Sequence, residues 1–165
     1  MGFFSSGHMP TFDSFKGKTP ALKVDEYFKG DISAWGFLQN RKGEVTRKFT
    51  VKMKGTWKGD KGRLEEQFVF DDGEKQERNW ELLKTGENTF EGRAGDVVGR
   101  AIGRSEGNAI NMKYVLAIPV NGKVYNIHIN DWLIALDESR MINISSLSKF
   151  GFHLGRLTIY FQKRS

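Results

Sequence analysis

The sequence predicts an all-β fold: an antiparallel up-and-down β-barrel of about ten strands, lipocalin-like in architecture. Three observations carry that reading. Apolar and polar residues alternate in segment after segment, the period of a half-buried strand. Short turn signals, "GDKG", "DDGEK", "TGEN" and "NG", separate consecutive segments. No stretch has a convincing helical period, and no connection is long enough for the crossovers that parallel strands need. Closing the sheet removes the exposed edges such a chain would otherwise present. A two-sheet sandwich is the alternative.

Each element follows from its residues. "VDEYFKGDISAWGFLQNRKG" is expected to hold two strands around Gly30-Asp31. From Val45 to Lys58, Val45, Arg47, Phe49, Val51, Met53 and Trp57 share one face, and Lys48, Lys52, Lys54 and Lys58 share the other. A turn at Gly59 to Gly62 leads to an inner face of Leu64, Phe68 and Phe70, and after "DDGEK" Trp80 and Leu82 continue it. Phe90, Ala94 and Val98 should follow on the same side. Ile110, Met112, Tyr114, Leu116, Ile118 and Val120 alternate strictly up to Asn121-Gly122, the favoured pair for a two-residue type I′ loop. Tyr125, Ile127 and Ile129 return from it, "NDWLIALDES" has room for one short helical turn, and Leu157, Ile159 and Phe161 close the set.

In "GRAGDVVGRAIGRSEGN", glycine recurs at Gly95, Gly99, Gly103 and Gly107. Neither the dinucleotide fingerprint nor the P-loop pattern is present. Arg93, Asp96, Arg100 and Arg104 are foreign to a membrane-helix contact face. The expectation is a strand that bends, or admits another backbone, at Gly99 and Gly103.

Composition narrows the function. The chain has 165 residues, with thirteen Phe and four Trp to build a core. "MGFFSSGHM", Met1 to Met9, reads as an expression scar, which leaves residues 10–165 as a single barrel domain. The absence of cysteine excludes disulfides, thiolate zinc sites and cysteine catalysis. Net charge is +6, concentrated between Arg41 and Arg63. No aromatic platform shares that lysine face, so nucleic acid is not an expected partner.

Several long segments carry a resemblance: "YFKGDISAWGFLQNRKGEVTRKFTV", "GTWKGDKGRLEEQFVFDDGEKQERNWEL", "FEGRAGDVVGRAIGRSEGNAINMKYVLAIPV", "NDWLIALDE" and "SKFGFHLGRLTIYFQK". From Tyr27 to Lys163 the chain resembles the bacterial envelope lipoprotein family catalogued as domain of unknown function 3833. The resemblance implies a protein of the bacterial cell envelope, on the periplasmic side, exported and tethered to the membrane through a lipidated cysteine near its start. That cysteine is absent here. The family carries no established activity or catalytic residues, so any site must come from the residues themselves.

The alternation places charge where apolar residues belong. Arg47, Glu66, Arg78, Asp96 and Asp131 fall on inner faces. A loop at Asp72 to Glu74 would set Glu66 opposite Trp80 and diagonal to Arg78. Across the Asn121-Gly122 hairpin, Tyr114 should face Ile129 and Met112 should face Asp131. A buried charge must pair or meet water. Such residues either form closed structural networks or line a polar patch that orients an amphiphile's head group. The candidate ligand-binding residues are Arg47, Glu66, Arg78, Tyr114 and Asp131. Trp35, Trp57, Trp80 and Trp132 are core candidates, with Trp132 on an outward face where it could serve an interface or a lid.

No catalytic constellation emerges. His128 points outward, His153 stands alone, and no serine has a nucleophile-elbow context. The expected function is therefore non-enzymatic: binding of a hydrophobic or amphiphilic small molecule, such as a lipid or fatty acid, without cofactor or metal. The alternative is a structural or interaction protein with a filled barrel and a partner-binding outer surface around Trp132 or Leu133 to Leu136. The sequence names no protein partner.

Overall fold

The computed structural model describes residues 9–165, which form a closed antiparallel barrel of ten strands. The strands are β1 (Gly30–Asn40), β2 (Val45–Lys58), β3 (Lys61–Phe70), β4 (Lys75–Lys84), β5 (Thr89–Arg93), β6 (Ala101–Glu106), β7 (Ala109–Val120), β8 (Lys123–Ala135), β9 (Arg140–Lys149) and β10 (Phe152–Lys163). Each pairs with its neighbours in sequence, and β10 closes on β1 from Ile32↔Lys163 to Asn40↔Gly155. Every strand therefore has a partner on each side, although β4 is laddered to β5 only over Glu81–Lys84. The period-two pattern holds on β2, where Phe49, Val51 and Met53 are buried and Lys48, Lys52 and Lys54 face outward. Asn121 and Gly122 both take positive φ, as the type I′ loop requires.

Five local expectations are corrected. The stretch before Arg41 forms one strand, not two, preceded by a four-residue helix α1 (Val24–Tyr27). Arg140–Lys149 is a strand the alternation did not reveal, because its inward residues include Asn143 and Ser145 while Ile142 and Ile144 face out. β5 ends at Arg93, and a connection then exposes Val98 and buries Val97, which bridges to Leu116. "NDWLIALDES" continues β8 to Ala135 and then turns, with the Asp137 carboxylate accepting from the backbone N–H groups of Ser139 and Arg140. Trp35 lies outside the core, 41% exposed, stacked on Tyr160 across the β1–β10 seam.

One end of the barrel is plugged. Val24, Tyr27 and Phe28 are buried there. The plug is pinned by bonds to four strand ends or turns: Trp57 Nε1 donates to the Phe28 carbonyl at 3.1 Å, Lys163 Nζ to the Tyr27 carbonyl at 2.8 Å, the Tyr27 hydroxyl to the Ser139 carbonyl at 3.0 Å, and Lys84 pairs with Asp25 at 3.1 Å. Gly55 makes room for this, since a Cβ there would sit 1.7 Å from the Phe28 carbonyl oxygen.

A strap also crosses the outside. A 3₁₀ turn at Phe12–Phe15 lays the rings of Phe12 and Phe15 on Trp132, at 5.0 and 5.5 Å between centroids. Trp132 does face outward, yet it is 4% exposed and is no open lid. Gly107 permits the strap, because a Cβ there would meet the Phe15 carbonyl oxygen at 1.8 Å. The fourfold glycine spacing is thus not a single strand face. Gly95 and Gly99 lie in the connection, Gly103 on β6 lies beneath the Phe90 ring, and Gly107 lies in the turn after the strand. Most of residues 1–9, read as a scar, lie outside the described residues.

Candidate functional site: a polar cluster inside the barrel

The site is assembled by strand register. On β3 and β4, Glu66 lies directly opposite Arg78, and Leu64 opposite Trp80. The expected diagonal pairing is corrected, because the loop occupies Asp71 to Gly73, closed by hydrogen bonds between Phe70 and both Gly73 and Glu74. The register moves by two residues. A shift of two keeps each side chain on its own face, so Glu66 and Arg78 still point inward. On β7 and β8, Tyr114 faces Ile129 and Met112 faces Asp131, as the turn predicted.

These registers bring four of the five candidate residues together. Trp80 Nε1 donates to Glu66 Oε1 at 3.2 Å, and Arg78 Nη1 lies 3.8 Å from the same oxygen. The Arg78 guanidinium also forms a fork with Asp96, donating from Nε at 3.0 Å and from Nη2 at 2.8 Å. Asp131 accepts from the Ser145 hydroxyl, and Tyr114 and Asn143 lie close enough to hold its pKa down against burial. The Tyr114 ring stands edge-on to Trp80, with centroids 5.3 Å apart. Glu66, Arg78, Tyr114 and Asp131 line an interior cavity of about 100 Å³ together with Val51, Met53, Phe68, Leu133 and Ile159.

Arg47 is not part of this cluster. It sits at the unplugged end, stacked 3.7 Å over the Phe70 ring and paired with Glu74 at 2.6 Å and Asp72 at 3.2 Å. Asn143 and Ser145 were missed as site residues. Their signal is period two: they continue the face of Met141, polar where apolar residues are usual.

Electrostatics in the cluster are set by burial. Burial pushes the Glu66 carboxyl up to about 7, against the opposing pull of Arg78 and the Trp80 N–H. Burial likewise raises the Asp131 carboxyl despite the donors on Ser145 and Tyr114. The Tyr114 hydroxyl is held well above its ordinary value, by burial first and then by the Asp131 charge. For Arg78, burial disfavours the cation, but the Asp96 hydrogen bonds and the Glu66 charge outweigh it and raise its pKa. For Asp96, burial is outweighed by Arg78, so this carboxyl is lowered and stays ionised. The consequence is an acid excess: Glu66, Asp96 and Asp131 surround one guanidinium, whose fork is already occupied. Among the described residues no group of three or more His, Cys, Asp or Glu is placed to hold a metal ion.

Solved structures share the architecture. The barrel is similar to the S-type phycobiliprotein lyase from Guillardia theta, with a TM-score of 0.64 at 10% identity, covering 94% of this chain and 99% of that one. It is also similar to a redesigned β-barrel, mFAP1, solved bound to DFHBI, with a TM-score of 0.44 at 12% identity over 86% of this chain and 100% of that one. At 10% identity the likeness to the lyase is one of fold. A comparison with curated proteins finds no match. A family model described as protein of unknown function (DUF3833) matches residues 1–163, the whole barrel from β1 to β10, and the chain belongs to that family.

Proposed function

We propose that this protein is a non-enzymatic binding protein that holds the polar end of a small amphiphile inside its barrel. The observation that supports this reading is a polar cluster of Glu66, Arg78, Tyr114 and Asp131 lining a largely apolar cavity. A few placed polar groups in an apolar pocket are the usual design of a small-molecule site. The charge balance refines the ligand. A carboxylate head would meet Glu66 and Asp131 with no free cation to receive it, whereas a hydroxyl or amine head would donate to them. The ligand class is therefore an amphiphile with a neutral or cationic, donor-rich head rather than a fatty acid. The non-enzymatic reading rests on the Asp131 surroundings, where the Ser145 hydroxyl donates to the carboxylate and neither His128 nor His153 is hydrogen-bonded to either group. A role in the bacterial envelope, on the periplasmic side with a lipid anchor, belongs to the same proposal and rests on the family resemblance.

One observation favours a second reading. A cavity of about 100 Å³ is smaller than the roughly 300 Å³ at which drug-sized sites begin. A barrel filled by its own side chains would be a structural or interaction module. Native mass spectrometry and titrations with a monoacylglycerol, a long-chain amine and a fatty acid separate the two. Binding of the first two, weakened in Asp131→Asn, is the expected result. No co-purified molecule and no binding of any of the three would leave the filled barrel.

A further inference from the structure

We propose that the two hairpin tips at the unplugged end, β7–β8 and β9–β10, dock on an anionic lipid bilayer. This goes beyond the cavity reading and stands on surface observations alone.

The tips expose apolar side chains to an unusual degree. Phe150 is 82% exposed, Phe152 73% and Val124 66%, with Val120 and Tyr125 beside them. The two tips are neighbours. β8 pairs with β9 up to His128↔Ser148, and Lys149 Nζ donates to the Asn126 carbonyl at 3.2 Å. Single exposed apolar residues are common, but several on adjacent turns mark a contact surface.

Phe150 is also costly where it stands. Phe150 and Gly151 have φ of 52° and 80°, close to the 51° and 81° of Asn121 and Gly122 at the neighbouring tip. The left-handed region suits Asn and Gly and disfavours a bulky residue. The protein uses Asn for this geometry one hairpin away, so the turn itself does not call for a phenylalanine.

Charge indicates what the tips meet. From Gly107 to Asn130 the chain carries Lys113 and Lys123 and not one Asp or Glu. From Arg140 to Ser165 the chain has no acid, and the cations on the half of this hairpin nearest the tip are Lys149 and Arg156. Lys149 Nζ lies 4.6 Å over the Phe150 ring. Aromatic and aliphatic side chains projecting from two hairpin tips that carry Lys123 and Lys149 and no acid match the acyl boundary and the phosphate layer of an anionic leaflet.

The test is co-sedimentation with phosphatidylcholine vesicles with and without about 30 mol % phosphatidylglycerol. The wild type should sediment with the anionic vesicles and be released as salt rises from about 0.1 to 0.5 M. Phe150→Asn with Phe152→Ser should weaken this at least about tenfold, as should Lys123→Glu with Lys149→Glu. Phe150→Asn alone should melt no lower than the wild type, which separates lost binding from lost folding. Wild-type protein that stays in the supernatant, or variants that sediment like the wild type, would overturn the proposal. So would a Phe150-dependent dimer without vesicle binding, which would assign the tips to a second copy of the chain.

Discussion

At the level of single residues, the interior acids make stability depend on pH. Glu66 ionises near 4.5 in the unfolded chain and near 7 in the folded one, so the fold favours its protonated form. That contribution is fully present below about pH 4.5 and is lost as pH rises through about 7. Asp131, also raised by burial, acts in the same direction. Glu66→Gln keeps an acceptor for Trp80 Nε1 and removes the titration. Chemical denaturation across pH should show a flatter profile for this variant and, near pH 8, a gain on the order of 2 kcal/mol over the wild type. A profile as steep as the wild type's would rule Glu66 out as the source. Arg78 is the counterpart. Arg78→Met near pH 8 should cost about 3–5 kcal/mol, because it strands Glu66 without its cation. Adding Glu66→Gln should recover much of this, since Asp96 is half-exposed and can turn to water. If the double variant is no more stable than the single one, Asp96 and not Glu66 is the partner that matters. Glu66, Arg78, Tyr114 and Asp131 were legible because parity along a strand survives a register error of two. Arg47 shares that parity, yet at a strand end the same face opens to solvent, where Asp72 and Glu74 claim it.

At the level of elements, legibility follows the strength of the local signal. β2, β3, β4, β7, β8 and β10 declare themselves by alternation, because each has enough apolar residues on its inner face despite Glu66, Arg78 and Asp131. β9 does not, because its inner face is part of the polar cluster and its apolar residues Ile142 and Ile144 lie on the other side. The plug was invisible for another reason. α1 has four residues, too few to show a helical period, and its place is set by partners far along the chain such as Ser139 and Lys163. Gly55 is the clearest trace it leaves on a strand. Gly55→Ala should force the Phe28 carbonyl away from β2 and strain the Trp57 hydrogen bond. The expected cost is about 1–3 kcal/mol, as for other overpacked sites, with a change in the near-ultraviolet tryptophan signal. An alanine variant with wild-type stability and spectrum would mean that the plug moves without penalty and is a door rather than a seal.

For the whole molecule, closure was legible and capacity was not. Sequential strands with short turns lead to a barrel by the edge argument alone. How much space remains inside depends on where Phe49, Phe68 and Trp80 place their rings and on the plug, all outcomes of three-dimensional packing. Closure also governs how the chain folds. The hairpins are local, whereas the β1–β10 seam joins residues as far apart as Trp35 and Tyr160. Loop-closure entropy is largest there, so the seam should form after the folding transition state, with refolding in the millisecond-to-second range expected of non-local β-topologies. Trp35 and Tyr160 stack across the seam on the outer face with centroids 5.9 Å apart, so they report on it without touching the cavity. Trp35→Ala removes an aromatic pair worth about 0.5–1.5 kcal/mol. If the seam closes last, that loss falls on unfolding: stopped-flow chevrons should show unfolding faster by about 2- to 10-fold with the refolding limb unchanged. A slowed refolding limb with an unchanged unfolding rate would place the seam in the nucleus, and the barrel would then close first and fill afterwards.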